Sequence, residues 1–120
     1  MNAPEWAGDV PTRRAGRSLI FQPGVPPSMA ELLSDDEIES QLPDGWAHEG
    51  DRIVRTYEFD SYLEGVGFAA GAGGLAEEAF HHPTLTVEWQ EVTVELTSHE
   101  EGGVTTKDVD LAERLDELAD

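Results

Sequence analysis

The chain has no cysteine, a single lysine and no apolar run of membrane length. Each absence removes a class of function. Without cysteine there is no disulfide, no thiolate nucleophile and no cysteine-ligated metal centre. A membrane-spanning helix needs about 18 or more consecutive apolar residues, and none exist here. The Arg13-Arg14 pair leads only into Leu19-Ile20-Phe21, too short for a secretory core. A cytoplasmic protein is expected. Basic residues are scarce, with 7 Lys and Arg against 26 Asp and Glu for a net charge of −19. Such a surface repels nucleic-acid phosphates and anionic lipids, so neither nucleic acid nor membrane is an expected partner. Salt relieves the self-repulsion by shortening the screening length to about 3 Å at 1 M. A salty cytosol is therefore the expected setting, and equal stability in dilute buffer and molar KCl would sink that idea.

What is present suffices for one domain with a modest core, in 120 residues. Residues 1–28 carry Glu5 and Asp9 against Arg13, Arg14 and Arg17, together with five prolines, and are expected to be a flexible extension. Residues 29–120 hold the other 24 acids against four bases and read as a single folded domain. Ser34 and Glu37 make a capping box that opens a short helix to about Leu42. Pro43-Asp44-Gly45 breaks it, and Trp46–His48 with Arg52–Phe59 reads as a hairpin around Gly50-Asp51. His48, near that turn, is expected to be a solvated residue.

From Asp60 to His82, Tyr62, Val66, Ala69, Leu75, Ala76 and Ala79 recur at helical intervals until Pro83 stops them. Five glycines (65, 67, 71, 73 and 74) interrupt this helix and suggest close packing on a neighbour rather than a nucleotide loop. Thr84–Trp89 and Glu91–Ser98 alternate as half-buried strands, with Val92, Val94 and Leu96 on one face. Thr105 and Asp108 form a second capping pair before a helix whose stripe is Val109, Leu111, Ala112, Leu115 and Leu118. The order α-β-β-α-β-β-α with short connections predicts an α+β fold, a four-stranded antiparallel sheet with helices packed on one face.

Three of the four histidines gather in the pattern Glu77-x3-His81-His82-Pro83-x5-Trp89-x9-His99-x8-Asp108. Imidazoles titrate near neutral pH, so one can donate a proton while another accepts one. Glu77 and His81 are four apart, which on a continuous helix puts them on one face and makes His81 a candidate proton donor. His82 is rotated away and restrained by Pro83, and His99 ends a strand from which it could face the pair. Each residue also has a plainer reading: Glu77 as a solvated helix acid, Asp108 as a cap alone, Trp89 as core. His81, His82, His99 and Glu77 are acceptable zinc ligands in kind, but adjacent histidines rarely converge on one ion, so no metal is expected.

The pattern resembles the signature of the pterin-4a-carbinolamine dehydratases. The likeness continues through Leu96-Thr97-Ser98-His99-Glu100, Gly103–Asp108 and, upstream, Arg55–Phe59, Tyr62, Phe68 and Ala76-Glu77. It implies the same fold, assembly as a homodimer or homotetramer, and a small-molecule pterin substrate with no cofactor. The implied reaction is dehydration of a 4a-hydroxytetrahydropterin to a quinonoid dihydropterin. His81 and His99 match the acid-base residues and His82 the substrate-holding one, with Glu77 beside them. Thr97, Ser98, Glu100 and Trp89 match positions at the pterin pocket, while Pro83 and Asp108 are structural or orienting. The chain departs from the pattern at Phe80, where relatives carry a polar residue, and at Leu85, where an aromatic is common. The alternative on the same scaffold is a non-catalytic pterin-binding or protein-dimerisation module.

Overall fold

A computed structural model describes residues 31–120, so the expectation for residues 1–28 lies outside the described residues. The elements are α1 (Asp35–Gln41), β1 (Ala47–Glu49), β2 (Arg52–Glu58), α2 (Tyr62–Ala79), β3 (Thr84–Glu88), β4 (Glu91–Leu96) and α3 (Thr106–Ala119). The strands form one sheet in the order β1-β2-β4-β3, and every pairing is antiparallel. This is the expected α+β arrangement.

Local chemistry accounts for the boundaries. Ser34 accepts from the Glu37 amide, and the Glu37 carboxylate accepts from the Ser34 amide, closing the capping box of α1. Leu42 ends that helix in extended backbone, as a residue before proline must. The pairing of Glu49 with Arg52 leaves Gly50 and Asp51 as a two-residue loop, with Gly50 at φ 62°. Alternation in the strands puts Ile53, Tyr57, Val92, Val94 and Leu96 into the core, where they meet Phe68 and Ala72 of α2 and Leu111, Ala112 and Leu115 of α3. On the opposite face Thr56 and Thr93 exchange an exposed hydroxyl hydrogen bond.

The buried stripe of α2 differs from the expected one. Gly65, Phe68, Ala72 and Ala76 face the core, while Tyr62 and Val66 are exposed. Small residues win this face because the helix sits close to its neighbours. A Cβ on Gly65 would stand 3.3 Å from Val92 Cγ2, and one on Gly71 would stand 3.0 Å from Leu118 Cδ2. Leu118, expected within the stripe of α3, is thus an exposed cover over Gly71. A Cβ on Gly67, Gly73 or Gly74 would meet nothing within 4 Å, and the structure gives no reason for these glycines.

The end of α2 is the second difference. The helix stops at Ala79, not at His82, because Phe80 turns left-handed at φ 51° and ψ 45°. The Phe80 amide donates to the Glu77 carbonyl (3.2 Å) and the His81 amide to the Ala76 carbonyl (3.0 Å). That pair of bonds is a Schellman closure, in which glycine is the usual left-handed residue. Phenylalanine there carries a backbone cost of roughly 1–2 kcal/mol.

Candidate active site

The Schellman closure re-aims the two histidines. With α2 already ended, His81 does not share a helix face with Glu77, and that expected pairing is replaced by another. His81 Nε2 lies 2.5 Å from Asp108 Oδ1, whereas Glu77 Oε2 lies 2.6 Å from His82 Nε2. The His81 side chain is only 10 % exposed, and the His82 side chain is 51 % exposed. One histidine is therefore held inside the protein and the other at its rim.

Asp108 is fully buried at the start of α3, and four groups converge on it or on its cap. Its Oδ2 accepts from the Thr105 amide (2.9 Å), which completes the second capping box, and from the Ser98 hydroxyl (2.8 Å). The Ser98 hydroxyl also meets Thr105 Oγ1 at 2.8 Å. Oδ1 accepts from the His81 ring, with the ring N–H at Nε2 as the donor. This bond fixes the ring orientation and leaves Nδ1 as the nitrogen not engaged with Asp108. Asp108 is thus both the helix cap expected from the sequence and the anchor of His81. A buried carboxylate with three good donors is a satisfied group, and no buried side-chain polar atom among the described residues lacks a partner.

A cleft of about 470 Å³ opens beside this pair, lined by Phe80, His81, His82, Thr97, Ser98, His99, Glu100, Glu101 and Lys107. Its size falls in the range of about 300–1,000 Å³ usual for small-molecule sites. Three histidines, His81, His82 and His99, share the one cavity. His99 follows Ser98, whose amide donates to the Gly103 carbonyl at 2.8 Å and so closes the loop 98–103 under it. Thr97, Ser98 and Glu100 line the cleft, but both hydroxyls among them serve the frame. Thr97 Oγ1 donates to the Asp51 carbonyl at 2.5 Å, and Ser98 is committed to Asp108. Pro83 follows His82 as the link into β3.

Trp89 stands apart from this group. It lies in the β3–β4 turn, 74 % exposed, and is neither core nor a wall of the cleft. The two-residue turn between Glu88 and Glu91 forces it outward. His48 is also outside, with Nε2 donating to the Gly50 carbonyl at 2.9 Å. Three cleft residues were not singled out as site residues from the sequence: Phe80, Glu101 and Lys107. Phe80, 83 % exposed, sets its ring edge-on to His82 at 5.8 Å and 79°. Its signal was the departure from the motif at that position. For Lys107 the signal was its being the sole lysine, immediately before Asp108.

Comparison with known proteins points to the same family as the histidine pattern. The family model described as pterin 4 alpha carbinolamine dehydratase matches residues 31–118. A protein of Natronomonas pharaonis, provisionally named pterin-4-alpha-carbinolamine dehydratase, is 66 % identical over 92 residues, covering 77 % of this chain and all of the relative. One of Haloarcula marismortui with the same provisional name is 55 % identical over 92 residues, with the same coverage. Among solved structures, the transcriptional coactivator/pterin dehydratase of Brucella melitensis superposes with a TM-score of 0.70 at 31 % identity, over 73 % of this chain and 98 % of that one. A pterin dehydratase-like RuBisCO assembly factor of the alpha-carboxysome shares the fold at a TM-score of 0.54 and 24 % identity, over 62 % of this chain and 89 % of that one.

Proposed function

The chain belongs to the pterin-4-alpha-carbinolamine dehydratase family, and on that premise we propose that it dehydrates a 4a-hydroxytetrahydropterin by histidine acid-base catalysis. The observation that carries this reading is the convergence of His81, His82 and His99 on one cleft, with His81 tied to the buried Asp108. In the reaction the C4a–O bond breaks, the hydroxyl leaves as water after taking a proton, and the proton on N5 passes to a base. The nitrogen lone pair left at N5 becomes the new double bond to C4a, so atoms and electrons balance without an oxidant or a cofactor.

His81 is assigned the proton to the leaving hydroxyl and His99 the proton from N5. They sit on separate segments of the cleft wall, as two groups acting on different atoms of one ring must. His82, paired with Glu77 at the rim, holds the substrate. Asp108 and Glu77 are positioning residues, because each acts through a histidine. Assistance of this kind contributes about 10²- to 10⁴-fold. We take the protein to be cytoplasmic, and to assemble as a homodimer or homotetramer; the exposed Tyr62, Leu63 and Val66 of α2 support the assembly.

The test is the dehydration rate of freshly generated 4a-hydroxytetrahydropterin, followed by ultraviolet absorbance in molar KCl. The wild type should accelerate it, and His81→Ala should lose about 10²-fold or more of that acceleration while keeping its fold by circular dichroism. No acceleration from folded wild-type protein would transfer the reading to a non-catalytic pterin-binding or dimerisation module.

A further inference from the structure

Lys107 is anomalous in three ways. It is the one lysine of a chain with 26 acids. It stands in the first turn of α3, two residues past the cap Thr105, where the helix dipole disfavours a cation. It also makes no ion pair among the described residues, whereas each described arginine does: Arg52 with Asp51 and Glu95, Arg55 with Asp116, and Arg114 with Glu78. Unpaired acids are the rule in so acidic a protein and carry no information. An unpaired cation is the exception, and this one lines the cleft that holds the three histidines. A residue that breaks the local rules of its helix without a compensating contact in the fold is where function is to be sought.

We propose that Lys107 is the anion-recognising point of the cleft, selecting pterins whose side chain ends in a phosphate or comparable anionic group. The inference rests on the pterin reading above and narrows its substrate class. Glu100 and Glu101 line the same cleft, so Lys107 is the one permanent cation that an anionic tail meets among the lining residues. Net charge of −19 opposes anion entry at long range, but at molar salt that repulsion is screened beyond about 3 Å and contact-range groups decide. An ammonium serves here as a mobile point charge suited to phosphate oxygens.

The experiment compares equilibrium binding of two stable pterins that differ only in the tail, one a neutral trihydroxypropyl chain and one its terminal phosphate ester. Pterin fluorescence is titrated in molar KCl with wild type, Lys107→Gln and Lys107→Arg. The wild type should bind the phosphate ester about tenfold more tightly. Lys107→Gln should abolish or invert that ratio, and Lys107→Arg should keep most of it. Equal binding of the two pterins by the wild type, or a Lys107→Gln that weakens both alike, would overturn the assignment. Turnover of the neutral carbinolamine is read separately. Lost turnover with the binding ratio intact strikes only at the dehydratase reading, whereas wild type that binds neither pterin removes both.

Discussion

Two aspartates of α3, eight residues apart, anchor the two ends of that helix, and they do so through different kinds of partner. Asp108, near the N-terminus, is fully buried and accepts from a backbone amide, a serine hydroxyl and His81. Asp116, two turns on, accepts from the Trp46 indole (3.0 Å), the Arg55 guanidinium (2.9 Å) and the Tyr57 hydroxyl (2.5 Å). Both are networks of three donors on one carboxylate. At Asp116 the cation is permanent, and Arg55 also lies over the Tyr57 ring at 4.5 Å and donates to the Asp44 carbonyl. At Asp108 the only partner able to change charge near neutral pH is a histidine that faces the cleft. The first arrangement fastens the hairpin to the last helix, and the second holds an imidazole at a fixed angle beside the cleft. A buried carboxylate does not by itself mark chemistry; the titration range and outlook of its partners do.

That contrast breaks most sharply under Asp→Asn at the two sites. Asp108→Asn keeps the shape but replaces an acceptor with an amide that cannot hold the His81 Nε2 proton and both other donors together. We expect kcat to fall about 10²-fold or more, with a smaller change in KM and an altered pH profile. Asp116→Asn should leave kcat of the folded protein near the wild-type value. If both variants lose turnover equally, the division of labour is wrong.

Stability runs the other way. Asp116→Ala leaves Arg55, Tyr57 and the Trp46 indole without their shared acceptor, at a cost of about 2–4 kcal/mol, discounted for the partial exposure of the Arg55–Asp116 pair. Urea denaturation in molar KCl measures it. The same knot has an alkaline signature. Burial, and then the hydrogen bond to Asp116, push the Tyr57 hydroxyl well above its ordinary range. A raised pKa means that its contribution is complete below about pH 10, where the unfolded tyrosine begins to ionise, and is lost as pH rises further. Stability should therefore decline above about pH 10, and Tyr57→Phe should flatten that slope. An unchanged slope in the variant would place the loss elsewhere.

Most of the frame was legible because it rests on local rules: capping boxes at Ser34 and Thr105, alternation in β4, a two-residue hairpin loop. The motif singled out three histidines that the fold brings to one cleft. What the chain order hid was the partner of each. Helical spacing joins Glu77 to His81, but a left-handed Phe80 ends the helix one residue before the pair, and a phenylalanine does not advertise that conformation as a glycine would. Asp108 read as a cap because capping is a three-residue relation, whereas its bond to His81 spans 27 residues and exists only in the folded state. The Asp116 knot was missed for the same reason, its partners lying 59 to 70 residues away.

The smallest expected effect separates the two ends by their backbone. Among the described residues four have positive φ: Gly45, Gly50, Gly102 and Phe80. Gly45, at φ 94°, lies beside the Asp116 knot, and a Cβ there would meet Arg55 Cζ at 2.8 Å. Phe80 lies at the cleft and adopts the left-handed region without glycine's freedom. The knot therefore obeys the rule that Phe80 breaks at the cleft. Gly45→Ala should destabilise, since it adds both a strained φ and a collision with the guanidinium. Phe80→Gly should stabilise by about 0.5–1 kcal/mol, the relief of the left-handed penalty less the added freedom of glycine in the unfolded chain. It should also weaken pterin binding, because the ring set edge-on to His82 is gone. A gain in melting temperature together with a loss in affinity would show that strain is kept at position 80 for the sake of the aromatic wall. A loss in both would mean that the Phe80 ring contributes more to the fold than its exposure implies.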